Sequence, residues 1–96
     1  MKVNFAEQAE TDLLDIGRYI AADNVEAALQ FINKIEDVCH ETIGRHPAIG
    51  RQRDDLIVGL RVLPFKKYLI FYRLQNEALQ IVRVLHGSRD IEQVFE

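Results

Sequence analysis

Tyr68-Leu69-Ile70-Phe71-Tyr72-Arg73-Leu74 is dense in aromatic and β-branched side chains and apolar at both odd and even positions. A half-buried strand alternates, so a run of this kind predicts a central strand covered on much of both faces. Gln75-Asn76-Glu77 follows as a hairpin turn, and residues 79–85 return as the next strand. On the other side, residues 57–63 read as the preceding strand, which Pro64 is expected to end because proline lacks the ladder N–H. Before it lie Pro47, Gly50 and the polar loop Arg51-Gln52-Arg53-Asp54-Asp55. A sheet buried on both faces needs cover, and the N-terminal half has the pattern to supply it.

From Glu7 onward, Ala9, Leu13, Ile16 and Ile20 step by 4, 3 and 4, one stripe of a helix over residues 7–22. Its acids Glu7, Glu10, Asp12 and Asp15 sit early, where the helix dipole favours them, and a solvated face accounts for them. Asp23-Asn24 breaks the pattern, with Asn24 as N-cap of a second helix running to about Arg45. Ala28, Ile32, Ile35, Cys39 and Ile43 form its stripe, widened by Ala27, Phe31 and Val38. Lys2-Val3-Asn4-Phe5 alternates at period two and reads as a first strand, and residues 91–96 as a short helical tail. The predicted fold is α+β, in the order β-α-α-β-β-β: an N-terminal strand and a helical hairpin packed on an antiparallel sheet. No repeat or linker interrupts it, so residues 1–96 are expected to form one domain.

Composition narrows the function classes. Hydrophobic residues make up 48% and charged residues 28%, which suits a folded globular chain and excludes disordered, collagen-like and disulfide-scaffold compositions. The longest apolar run falls far short of the roughly 20 residues that span a bilayer, and Met1-Lys2-Val3-Asn4 opens no secretory apolar segment. A cytoplasmic protein with no membrane partner is therefore expected, in keeping with a lone Cys39 that reads as a core thiol. The net charge of −3 is uneven: residues 1–43 carry 3 basic and 9 acidic side chains, residues 44–96 carry 9 and 6. A mildly basic half falls short of the strongly basic surface of a duplex binder, so sequence-specific nucleic-acid binding is not expected.

The motifs of cofactor and metal chemistry are missing: no glycine-rich phosphate loop, HExxH, paired CxxC or GxSxG. His40, His46 and His86 have no acidic or cysteine partner at ligand spacing. No cofactor and no metal are expected. His86-Gly87-Ser88-Arg89-Asp90 gathers an imidazole, a hydroxyl, a guanidinium and a carboxylate just past an apolar strand. His86 suits a general acid or base and Arg89 suits phosphate charge, whereas Ser88 and Asp90 read first as turn and cap. Arg61, Arg73 and Arg83 sit within largely apolar strands, so each either faces solvent or neutralises an acid. A row of them on one face would suit an acidic partner or phosphate.

In order along the chain stand Asp12-Leu13, Ile16, Tyr19-Ile20, Ala27-Ala28, Phe31 and His46-Pro47-Ala48-Ile49-Gly50-Arg51. Gly59-Leu60-Arg61, the central stretch through Arg73, and Val82-Arg83-Val84-Leu85-His86-Gly87-Ser88-Arg89-Asp90 complete the series. With these pieces the chain resembles, nearly end to end, the ParE branch of the RelE/ParE superfamily of toxins from type II toxin-antitoxin modules. The resemblance implies the helical hairpin on a sheet already read from periodicity. It also implies a cognate antitoxin, ParD-like or similar, that binds as an extended or helical segment to form a hetero-oligomer. Growth arrest and plasmid stabilisation are the roles such modules imply.

For the target, the resemblance divides. RelE-like members cut mRNA on the ribosome, and ParE-like members trap DNA gyrase on cleaved DNA. The nucleases typically carry lysines on the first strand after the hairpin, an arginine early in the next strand, a loop arginine and a C-terminal tyrosine. The matching positions here are Leu60 and Val62, then Leu69, Arg89 and Phe95. Only the loop arginine remains, and apolar side chains neither stabilise phosphate charge nor move a proton. The expectation is a gyrase-binding toxin with no catalytic residues. Arg61, Arg73, Arg83, His86 and Arg89 are then the candidates for contact with target or with an acidic antitoxin segment. The alternatives are an mRNA endonuclease using His86 and Arg89, and a non-toxic relative that only binds its antitoxin.

Overall fold

The computed structural model describes residues 1–96. Strand β1 (Val3–Phe5) leads into helix α1 (Glu7–Ala21) and helix α2 (Val25–Asp37). Strands β2 (Arg51–Gln52), β3 (Arg61–Phe65), β4 (Tyr68–Gln75) and β5 (Ala78–His86) follow, and helix α3 (Ile91–Val94) closes the chain. They form one five-stranded sheet in the order β1-β5-β4-β3-β2. The α+β class, the helical hairpin and the central position of the aromatic stretch are as expected from periodicity. No helix is long and apolar enough to cross a membrane.

The helices arise from the predicted caps and stripes. Asn24 Oδ1 accepts the Ala27 N–H at 2.9 Å, starting α2. That helix continues through a π-helical stretch, Val38–Ile43, which keeps Cys39 and Ile43 both fully buried. Gly17 lies against Ile32 of the neighbouring helix, where a Cβ would stand 3.6 Å from the Ile32 side chain.

The sheet departs from expectation in three places. It is antiparallel from β2 to β5, but β1 joins the β5 edge in parallel, Val3 opposite Leu79 and Phe5 opposite Ile81. Local pattern identifies a strand without naming its partner, and this partner lies at the far end of the chain. The strand expected at residues 57–63 begins only at Arg61 and runs through Pro64. The two-residue turn Lys66-Lys67 makes Phe65 and Tyr68 a hydrogen-bonded pair, so the Pro64 nitrogen faces away from β4. The outer strand β2 pairs only with Arg61 and Val62, so no ladder bond is lost at Pro64. Finally, Arg51-Gln52, expected in a loop, forms β2.

A register shift between Phe71 and Tyr72 places one extra residue in β5, so that Phe71 pairs with Arg83 and Tyr72 with Ile81. Ile70, Tyr72, Leu79, Ile81 and Val84 pack with α1 and α2 in the main core. Phe71, Leu60, Val62, Leu85 and Ile91 form a second core on the opposite face. The central strand is buried on both sides, as its sequence predicts.

Candidate functional site

Asp12 is the side chain whose setting departs most from its sequence reading. It is 8% exposed, no part of a solvated face. Its carboxylate accepts two hydrogen bonds from the Arg83 guanidinium, at 2.8 and 2.9 Å, and a third from the Val84 N–H at 2.9 Å. Arg83 thus reaches from β5 to α1. The hydrogen bond to Asp12 raises the Arg83 pKa further above its already high value. Arg83 therefore takes the second of its two predicted roles, neutralising an acid.

Arg61 is committed to the backbone. Its Nη1 donates to the carbonyls of Gly50 at 2.7 Å and Ala48 at 3.3 Å. The Tyr72 hydroxyl donates to the Pro47 carbonyl at 2.7 Å and accepts the Gly50 N–H at 2.8 Å. Burial pushes the Tyr72 phenol above its ordinary value. A Cβ at Gly50 would stand 2.6 Å from that hydroxyl, so only glycine lets the loop approach. His46-Pro47-Ala48-Ile49-Gly50-Arg51 is thus pinned from beneath by Tyr72 and Arg61. Arg73 follows Tyr72 along β4 and so points to the opposite face, its Nε buried without a partner. The arginines within the strands do not form one row.

His86 is the last residue of β5, one position earlier than the loop expected to hold it. The Ser88 N–H donates to His86 Nδ1 at 3.1 Å and the Ser88 hydroxyl lies 2.8 Å from the same nitrogen. Nδ1 is thus an acceptor, and Nε2 has no hydrogen-bond partner. Tyr68 meets the imidazole edge-on at 5.3 Å. Burial first, and then the nearby Tyr19, raise the Tyr68 phenol above its ordinary value. His86, Arg89, Tyr68 and Tyr19 line one cavity of about 210 Å³ together with Asp12 and Asp15. Asp90 caps α3 by accepting the Gln93 N–H, as its turn-and-cap reading predicts. No group of three His, Cys, Asp or Glu side chains converges as metal ligands do.

The four apolar residues matched to nuclease positions lie together on the opposite face, apart from Arg89 in the His86 cavity. Leu60 and Val62 are buried in the second core, with Leu69 and Phe95 packed against it. Phe95 stacks on Phe71 at 4.8 Å between centroids. The loop over this core is held by Arg53, which pairs with Asp55 at 2.9 Å and reaches Glu92 of α3 at 3.7 Å. Arg53 holds the Asp55 carboxyl below its usual range.

Two features escaped sequence reasoning. Tyr19 is 80% exposed, a large aromatic ring beside the His86 cavity. A groove of about 660 Å³ also runs along the outer face of the hairpin, lined by Leu13, Leu14, Val25, Leu29 and Ile32 among others, with Glu10, Arg18 and Glu36 as its charged members. The available signal was that Leu14, Val25 and Leu29 are apolar yet stand off the core stripes.

A family model described as the ParE toxin of the type II toxin-antitoxin system parDE matches residues 3–91. Toxin ParE3 of Caulobacter vibrioides is 36% identical over 81 residues, spanning 83% of this chain and 80% of that toxin. A solved chromosomal ParDE system from P. aeruginosa superposes with a TM-score of 0.72 at 22% identity, covering 90% of this chain and 95% of that one. The RelBE2 toxin-antitoxin complex from Mycobacterium tuberculosis gives 0.64 at 21% identity, covering 88% and 95%. At those identities the two structures support the fold.

Proposed function

The chain belongs to the family of ParE toxins of type II toxin-antitoxin systems, and on that premise we propose that it binds DNA gyrase and traps it on cleaved DNA. It does so without chemistry of its own. The observation that carries this reading is the second core. Leu60, Val62, Leu69 and Phe95 occupy the positions where the ribonuclease branch holds cationic and phenolic groups, and here they pack together beneath α3. A buried apolar cluster offers no charge to a scissile phosphate and no proton to a leaving group.

The antitoxin covers the apolar groove between α1 and α2 with a segment that folds as it binds, burying Leu14, Val25 and Leu29. An acidic part of it pairs with Arg89, while Arg61 and Arg83 are already occupied within the fold. Purified chain freed of antitoxin is incubated with gyrase, plasmid and ATP, and supercoiling and linear product are scored. Linear DNA that disappears on adding antitoxin is the expected result. Its absence at large molar excess of folded chain overturns the gyrase assignment.

A second reading has one observation in its favour: His86 Nε2 is free and shares a cavity with Arg89. It makes the chain a ribosome-dependent mRNA endonuclease. Loss of mRNA cleavage in a folded His86→Ala variant would support it, and retained toxicity in that variant would exclude it.

A further inference from the structure

The β3–β4 turn and the loop after β5 are joined by a backbone hydrogen bond, Gly87 N–H to the Lys67 carbonyl, at 2.9 Å. The bond brings the exposed Lys66 and Lys67 next to the exposed His86 and Arg89 at one end of the sheet. Neither lysine nor Arg89 takes part in any ion pair. Of the acids nearby, Asp12 is neutralised by Arg83, while Asp90 caps α3 and keeps its charge beside Arg89. Asp15 stands on the α1 wall of the adjoining cavity, so Lys66, Lys67 and Arg89 outnumber Asp15 and Asp90 there. This end of the molecule is therefore locally cationic on a chain whose net charge is −3.

Beside the cations stand three flat rings. Tyr19 is almost wholly exposed, Tyr68 lies next to it, and the His86 imidazole meets Tyr68 edge-on. An exposed tyrosine on a helix gains nothing for the fold. Cations outside any ion pair, bordered by the exposed Tyr19 and the half-buried Tyr68, match the two needs of a single nucleic-acid strand, charge for the phosphates and a π-face for the bases. We infer that the Lys66-Lys67 turn and Arg89 bind the backbone of a single nucleic-acid strand, with a base stacked on Tyr19 at the mouth of the His86 cavity.

Asp15 sets the polarity of that contact. Its carboxylate repels phosphate from the α1 wall, so the backbone tracks the lysine turn and a base enters the cavity. A duplex hides its base faces and satisfies only the cations, while an acidic peptide makes no use of the rings. Single strands are therefore preferred, and with little sequence preference. The inference stands apart from the gyrase reading: a failed gyrase assay leaves it intact, and a gyrase poison that ignores single strands overturns it alone.

The test is fluorescence anisotropy of antitoxin-free chain with labelled oligothymidylate, a hairpin duplex of equal length and a labelled poly-glutamate peptide, across a salt series. Oligothymidylate is expected to bind in the micromolar range at low salt, as non-specific nucleic-acid contacts do. Replacing Lys66 and Lys67 with alanine together should flatten the logarithmic salt dependence by about 1.4, two phosphate contacts at roughly 0.7 each. Tyr19→Ala should weaken binding about fivefold or more at every salt with the slope unchanged. Lys2→Ala with Lys34→Ala removes the same charge elsewhere and should leave affinity within about twofold. Unchanged melting curves for these surface variants show that folding is retained. Four results overturn the inference: no binding at about 100 µM chain, equal loss in the Lys2 and Lys34 control, duplex preferred with Tyr19→Ala silent, or poly-glutamate bound in place of the oligonucleotide.

Discussion

The two faces of the sheet are built to different depths. Toward the helices, ten buried residues from the hairpin, its π-helical extension, β4 and β5 form one core, sealed by ten more that are half-buried. On the other face five buried residues lie beneath a loop and a helix of four residues, held by the exposed pairing of Arg53 with Asp55. The first face carries the predicted stripes and makes the fold. The second face holds Leu60, Val62, Leu69 and Phe95, the apolar residues at the positions matched above to nuclease groups. On the proposed function, the fold is made on one side of the sheet and nuclease chemistry is missing from the other.

The comparison breaks most readily by truncating one fully buried side chain on each face. Ile35→Ala, on the helix side, should cost about 4 kcal/mol, because a cavity enclosed by two helices and a sheet collapses little. Leu60→Ala should cost about 2 to 3 kcal/mol, since the loop above it can settle. Urea denaturation gives both values, and equal losses would mean that the second face is as rigidly built as the first. Between these lies Asp12→Ala, which strands the Arg83 guanidinium and the Val84 N–H together and should cost about 3 kcal/mol. Asp12→Asn keeps an acceptor for Val84 and should lose less. If the alanine variant loses under about 1 kcal/mol, water has replaced the carboxylate and the pair belongs with exposed ones.

That ion pair also marks the limit of what could be read from the chain. Stripes, caps and the 75–77 turn are local features, and each helix and the central strand follow from them. Asp12 carried a signal that was passed over: it stands three residues after Ala9 and four before Ile16, on the buried stripe itself. Its partner lies 71 positions away on β5, and a pairing across that distance leaves no local trace. The parallel pairing of β1 and the passage of β3 through Pro64 were illegible for the same reason, as both depend on which strand lies alongside. Of the candidate site, His86 and Arg89 were legible as a loop cluster. Tyr19 and the lysine turn were not, because only the folded chain brings them there.

Alkaline pH probes the deeper face alone. Burial, with a contribution from Glu36, raises the Cys39 thiol from 9.0 to about 12. Between those values the unfolded chain has lost its proton and the native chain has kept it, so stability is complete below about pH 9 and falls as pH rises toward 12. One such thiol gives at most about 1.4 kcal/mol per pH unit. Tyr72, raised by burial, adds a loss of the same sign beginning near its ordinary value of 10.0. Cys39→Ala should move the onset of the alkaline decline from near 9 to near 10. An unmoved onset would show that Cys39 is reached by water in the native state and that the helix-side core is looser than its packing implies.

The smallest expected effect bears most directly on function. Phe95→Tyr adds a hydroxyl at the half-buried position matched to the C-terminal tyrosine of the nuclease branch, where the ring packs tilted against Phe71. The ring keeps its contacts and the hydroxyl has solvent within reach, so the stability change should stay under about 1 kcal/mol. No mRNA cleavage should appear, because Leu60, Val62 and Leu69 still present an apolar surface where phosphate charge would develop. A hydroxyl without cations has a proton to give and nothing to hold the anion it would act on. Cleavage of ribosome-bound mRNA by Phe95→Tyr, absent in the parent chain, would mean that a hydroxyl on this face suffices without cations beside it. The second face would then be one residue from activity, and its apolar filling would no longer separate this chain from the ribonucleases of its superfamily.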